Sequence, residues 1–264
     1  MSETECKNNT SYDDLIKIGN QLAEIYRREF NGYRPKNDLE LAGLSMLKRC
    51  VSQARAINLL ILNDFTADAA IIARSLMNLM WLFLFTLEVH RRNEKWEFEE
   101  NPLDDSVQFR RARRYLDWLF VEEHRRGVTS EYNKSKVDEI LKKHGWISID
   151  DLPRHWWHEP SVKINSIKRL AKYVGAELQY EDDYSFLSSV EHGGMQSLAL
   201  MMENFNNPDS KYNRYAQLKS LQFVGMMMDI TMGLSGKVKA EDFQTLSDRI
   251  DALSANMKKE MNSN

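Results

Sequence analysis

Between Ala69 and Val89 the chain reads AAIIARSLMNLMWLFLFTLEV, and no other stretch limits the fold so sharply. A helix apolar on nearly every side belongs either in a bilayer or in the middle of a packed bundle. Its uninterrupted apolar run, Leu79 to Phe85, is far too short to span a membrane, and Arg74, Asn78 and Glu88 interrupt the rest. Charge at membrane depth is costly. The segment is therefore expected at the centre of a soluble all-α bundle, with no membrane as partner.

The rest of the chain agrees. Only 11 glycines and 5 prolines occur in 264 residues, too few for the many turns of a sheet protein. Apolar residues recur at three and four almost throughout. A first helix is predicted over 11–30 (Leu15, Ile18, Leu22, Ile25 on one face) and a second over 38–63. The central apolar helix is expected over 67–91. A fourth covers 105–126, with Phe109, Ala112, Leu116 and Leu119 inward and Arg110, Arg111 and Arg114 outward. Another runs over 131–144. Residues 146–160, with Pro153, Pro160 and three tryptophans, read as a structured loop. Ser161 is expected to cap a helix through Tyr173, and a long helix near 181–204 is expected to bend or break at Gly193-Gly194. Helices over 209–234 and 240–259 finish the chain, the last with a seam of Phe243, Leu246, Ile250, Leu253 and Met257. This predicts one helical domain over residues 1–264, about eight or nine helices around a central apolar one. Residues 1–10 form a flexible N-terminus and 240–261 an amphipathic C-terminal helix.

Several function classes lose their footing at once. The formal net charge is −3, so no global field draws the chain to nucleic acid or anionic lipid. Cys6 and Cys50 cannot build a disulfide scaffold or a four-thiolate zinc site. Residues 1–10 are polar and acidic, without the apolar core of a signal peptide, so a cytoplasmic location is expected. Glu-x-x-His, H-E-x-x-H, the Walker loop, G-x-G-x-x-G and G-x-S-x-G are all missing. No cofactor is expected. His155 and His158 form an H-x-x-H pair in RHWWHEP, but no further ligand completes a set, so no metal is expected either.

Two constellations remain. Arg74 and Asn78 lie four apart on the most apolar helix, with Ser75 beside them, and so share a face. A buried guanidinium needs a partner from another element. A structural knot of hydrogen bonds answers that need, and so does an anion or catalytic site. The second constellation runs Tyr184-x-x-x-Ser188-Ser189-x-Glu191-His192-Gly193-Gly194. Ser188 or Ser189 can hydrogen-bond the His192 imidazole and fix its tautomer, and the glycines leave room for a ligand or a close neighbour. A satisfied core histidine is the ordinary alternative. The basic runs Arg110-Arg111-Ala112-Arg113-Arg114, His90-Arg91-Arg92 and His124-Arg125-Arg126 read first as solvated faces and second as an RNA-phosphate surface. The 13 methionines read as adaptable core.

Taken in order, ADAAIIARSLMNLMWLFLF, a charged helix, RHWWHEPSVKINSIKRLAKYVGAELQY and YSFLSSVEHGGMQSLAL resemble the DUF5677 family of uncharacterised bacterial helical proteins, over roughly residues 38–235. The resemblance implies that Arg74 takes the family's arginine position, Ser188 and His192 its serine–histidine motif, and Trp156 or Trp157 its aromatic position. Asn78 stands where the pattern has an acidic residue, for which Glu88 or Glu191 would have to substitute. A looser similarity is to the HEPN superfamily, which includes metal-independent RNases of toxin and phage-defence systems. In those enzymes arginine and histidine share one helix as R-x4-6-H, often paired across a dimer. Here no histidine follows an arginine by five to seven places, so Arg74 and His192 would meet from different helices.

Two readings of function are open on this basis. One is a HEPN-like endoribonuclease or toxin-type effector in bacterial defence. Its substrate is RNA, a homodimer is expected from the amphipathic C-terminal helix, and Arg74, His192, Ser188 and Asn78 form the catalytic set. The other is a non-catalytic module that dimerises or binds a ligand or protein partner such as an antitoxin, with Arg74 and His192 in one structural network.

Overall fold

The computed structural model describes residues 11–92, 95–97, 106–127, 130–144, 147–151, 155–158, 162–184, 187–188 and 210–262. The first helices begin where a side chain answers the orphan N–H groups of the opening turn. Ser11 Oγ accepts from the Asp14 N–H at 3.3 Å and opens α1, Tyr12–Phe30. Asn37 Oδ1 accepts from the Glu40 N–H at 2.9 Å and opens α2, Asp38–Leu62. Asp64, at φ 64°, turns the chain into α3, Thr66–Thr86.

Beyond α3 come two short strands, β1 (His90–Arg92) and β2 (Lys95–Glu97), antiparallel with Arg91 opposite Trp96. There follow α4 (Val107–Arg125), α5 (Glu131–His144) and α6 (Ile167–Tyr173). The single turn α7, Glu177–Gln179, runs on as a π-helical turn over Tyr180–Tyr184. Two long helices close the chain, α8 (Lys211–Leu234) and α9 (Glu241–Asn262). The fold is an all-α bundle carrying one small hairpin among the described residues.

As expected, α3 sits at the centre. Trp81, Phe83 and Leu84 are fully buried. α2 lies along α3, α8 packs on both, and α1 and α9 pack on α8. By length and composition α3 could cross a membrane, yet most of it is covered by the other helices. The apolar seam of α9 is also spent within the chain. Phe243, Leu246, Ile250 and Met257 are buried, so this seam cannot be the surface that joins two copies.

Four expectations need correction. α3 stops at Thr86 rather than Arg91, because Glu88 adopts φ 54° and sends the chain into β1. Ser166, not Ser161, caps α6 by accepting from the Arg169 N–H at 3.3 Å; Ser161 lies outside the described residues. The helix expected from 181 begins as the π-helical turn, with Leu187 and Ser188 helical and 189–209 outside the described residues. Arg111, expected outward, is 3% exposed, whereas Leu119, expected inward, is 40% exposed.

The inward turn of Arg111 has a clear cause. Its Nη1 donates to the Phe85 carbonyl at 2.8 Å and to Glu88 Oε2, and its Nη2 donates to the Tyr173 hydroxyl at 3.2 Å. The guanidinium also lies 3.7 Å from the Phe85 ring centroid. Tyr173 Oη in turn donates to Glu88 Oε1 at 2.6 Å, and the His90 ring lies between Glu88 and the Tyr173 carbonyl, 3.1 Å from each. One cation thus caps the end of α3, anchors α4 and α6, and holds Glu88 in its left-handed turn. Close by, Gly175 has φ +79° and a Cβ there would sit 3.0 Å from the Arg91 carbonyl, so only glycine lets α6 approach β1.

Burial alone would push the Glu88 carboxyl up. The Tyr173 hydroxyl, the Arg111 guanidinium and His90 together outweigh that and hold it below the usual carboxylate range. A folded-state value that is lowered gives stability that is complete above the unfolded value, about 4.3, and fades as pH falls through the folded one. Arg111→Ala, which strands Glu88 without its cation, is expected to cost about 3 kcal/mol at pH 7. In urea denaturation the gap between wild type and variant should narrow as pH drops below about 4.

Candidate functional site

Arg74, Asn78 and Trp81 recur at four and three along α3 and share one face. Ser75 faces elsewhere: its Oγ accepts from Gln53 Nε2 at 2.9 Å and ties α3 to α2. Arg74 is half-buried, and its partner comes from the π-helical turn. Its Nη2 donates to the Tyr184 hydroxyl at 2.9 Å, and its guanidinium carbon lies 4.9 Å from the Tyr184 ring centroid.

Tyr184 stacks on Tyr180 with centroids 4.9 Å apart and planes 20° from parallel. Both rings lean on Trp81, at 5.4 and 6.0 Å. The turn itself is pinned to α8, because Asp183 Oδ1 accepts from the Tyr215 hydroxyl and Lys219 Nζ lies 3.6 Å from Asp183 Oδ2. Burial raises the Tyr215 phenol, and the Asp183 carboxylate raises it further. Single π-helical turns are frequent at functional sites, since the extra residue re-aims the side chains around it.

Of the four catalytic residues expected from the sequence, three are described. Arg74 stands as above. Asn78 Oδ1, one turn along, is buried with no hydrogen-bond partner among the described residues. Ser188 is helical and half-buried, four residues beyond Tyr184. His192, with Glu191, lies outside the described residues. Glu88 does not join Arg74: fourteen residues of mostly helical chain put it about 20 Å away, where Arg111 holds it.

The loop histidines pack as rings. His155 stacks on Trp157 at 5.1 Å and 9°, and His158 meets Trp157 edge-on at 4.6 Å. Trp156 and Trp157 are buried, and no cluster of three metal-ligating side chains occurs among the described residues. The basic run of α4 does not act as one face, for Arg111 is buried, Arg113 pairs with Asp38 at 3.0 Å and Arg110 is exposed. Sequence reasoning misses Tyr180, Asp183, Tyr215 and Lys219. The four-residue spacing of Tyr180 and Tyr184 is a readable same-face signal; the Asp183–Tyr215–Lys219 clamp is not, since it joins separate elements.

A family model described as a family of unknown function, DUF5677, matches residues 40–210. The chain belongs to DUF5677. The DUF5677 region holds α2 to α7, with Arg74, Asn78, Tyr184, Ser188 and His192, and leaves out α1, α8 and α9. The clamp therefore fastens the DUF5677 region to an element beyond it, through Tyr215 and Lys219. No curated protein and no solved structure matches the chain.

The bond between Arg74 and Tyr184 makes a measurable contribution. Tyr184→Phe keeps the ring and loses the hydroxyl, and is expected to lower unfolding free energy by about 1 kcal/mol. Tyr184→Ala, which also empties the space beneath Arg74, should cost about 3 kcal/mol. Both are read as shifts of the urea midpoint at unchanged slope.

Proposed function

We propose that the chain is a metal-independent, HEPN-like endoribonuclease or toxin-type effector, acting on RNA in the cytoplasm in bacterial defence. Arg74 binds the scissile phosphate through its planar donor fork and stabilises the charge that builds on the pentacovalent phosphorus. His192 takes the proton from the ribose 2′-hydroxyl, whose oxygen attacks phosphorus and displaces the 5′-oxygen of the next nucleotide. That 5′-oxygen leaves with a proton taken from water, and the upstream fragment ends in a 2′,3′-cyclic phosphate. Ser188 orients the imidazole, and Asn78 hydrogen-bonds the substrate beside Arg74. A homodimer remains part of this proposal, by a surface other than the α9 seam.

One observation carries the reading. Tyr184 opens the segment that bears Ser188 and His192, and its hydroxyl is bonded to Arg74 across 110 residues of sequence. Two motifs far apart in sequence therefore start from one contact.

The second reading, a non-catalytic module for dimerisation or for a ligand or protein partner, has its own support. Arg74 packs over Tyr184 much as Arg111 packs over Phe85, and Arg111 acts in the fold as a pin. Glu181 and Asp182 are exposed on the same π-helical turn, and their charge opposes an RNA backbone.

Purified protein incubated with structured and single-stranded RNA in EDTA separates the two. The nuclease predicts fragments with 2′,3′-cyclic phosphate ends. Arg74→Ala and His192→Ala should each lower the cleavage rate at least about 100-fold while circular dichroism stays unchanged. Intact RNA with wild type, beside an Arg74→Ala protein that merely melts earlier, would establish the structural network instead.

A further inference from the structure

A cavity of about 230 Å³ opens where β2, α7, α8 and α9 meet beside Met80 of α3. That is room for several waters or a small organic molecule. Met80, Phe223, Met226 and Trp96 give it apolar lining, and polar side chains supply the larger share of its surface. No Lys or Arg lines it among the described residues.

The polar groups there point to one kind of ligand. Gln179 Oε1 is buried without a hydrogen-bond partner among the described residues. Asp251 lines the cavity from an exposed position and has no ion-pair partner among them, whereas Asp229 is already paired with Lys239 at 2.5 Å. A carboxylate without an ion pair, a buried amide oxygen without a hydrogen bond and an indole side chain together suit a positively charged N–H donor.

Gly225 supplies the independent observation. It lies in the interior of α8, where glycine is the poorest residue after proline, and it lines the cavity. A Cβ at Gly225 would meet nothing within 4 Å, so no packed neighbour demands glycine. What the missing side chain preserves is the open space.

We propose that this cavity binds an organic ammonium ion. Its apolar body lies against Met80, Phe223 and Met226, and its head faces Asp251, Gln179 Oε1 and Trp96. The site is separate from Arg74 and Tyr184 and does not depend on the nuclease reading.

The test uses the full chain, with phenethylammonium as probe and 2-phenylethanol as its neutral counterpart of the same shape, in equilibrium dialysis. Phenethylammonium should bind saturably at one site, at least tenfold more tightly than the alcohol. Asp251→Asn should erase most of that preference. Gly225→Leu fills the cavity and should abolish binding while melting no lower than wild type; Gly225→Ala, a smaller filling, takes its place if the leucine variant unfolds and should weaken binding at least threefold. Equal affinity for the two probes, no saturable binding of phenethylammonium, or binding by a folded Gly225 variant equal to wild type would overturn the proposal.

Discussion

A helix as apolar as α3 has to be wrapped, and each polar group it carries has to be answered by whatever wraps it. Burying α3 requires cover on all sides, which α2 and α8 supply along its length and α4 and α6 supply near its C-terminal end. Its polar groups then dictate local detail. Ser75 draws in Gln53 of α2, and Arg74 draws in Tyr184. Just past its last turn, Glu88 draws in Arg111 of α4 and Tyr173 of α6. Hydrophobic burial sets the layering, and these few directional contacts set which element lies against which end.

The two arginine contacts use one physical device for unequal ends. A guanidinium lying over an aromatic ring keeps its planar donors in reach of oxygen atoms while its weakly hydrated face is buried. At the C-terminal end of α3 the device is closed, with a carboxylate, a phenol and a carbonyl gathered around Arg111. At Arg74 a phenol, that of Tyr184, is among the groups it meets, and the next polar atom along the helix, Asn78 Oδ1, is without a partner among the described residues. A buried polar atom left in that condition costs free energy unless something else meets it.

Much of the bundle is legible in the amino-acid sequence. Helical spacing places α1, α2, α4, α5, α8 and α9 within a few residues, because each carries an apolar face of the right period. Arg74 and Asn78 stand out as polar residues on an apolar helix for the same reason. The failures share a cause. Arg111 reads as solvated because a run of arginines carries no sign of a carboxylate 23 residues away. The hairpin after α3 is hidden because Leu87 and Val89 continue an apolar run that the left-handed Glu88 interrupts. The π-helical turn is hidden because the pattern from Glu181 onward suits an α-helix, and only contacts with Tyr215 and Trp81 reveal the altered phase. Local period is written in sequence; the partner of a buried charge is written in tertiary structure.

The proposed site requires Arg74 and Tyr184 to be energetically joined, since that contact ties Arg74 to the start of the segment whose sequence carries Ser188 and His192. A double-mutant cycle with Arg74→Met and Tyr184→Phe, read as unfolding free energies in urea, isolates their interaction from the cost of each change alone. The expected coupling is about 1 kcal/mol, the value of a partly buried charge-assisted hydrogen bond. Additivity within about 0.3 kcal/mol would refute the joining, because the two residues would then act independently.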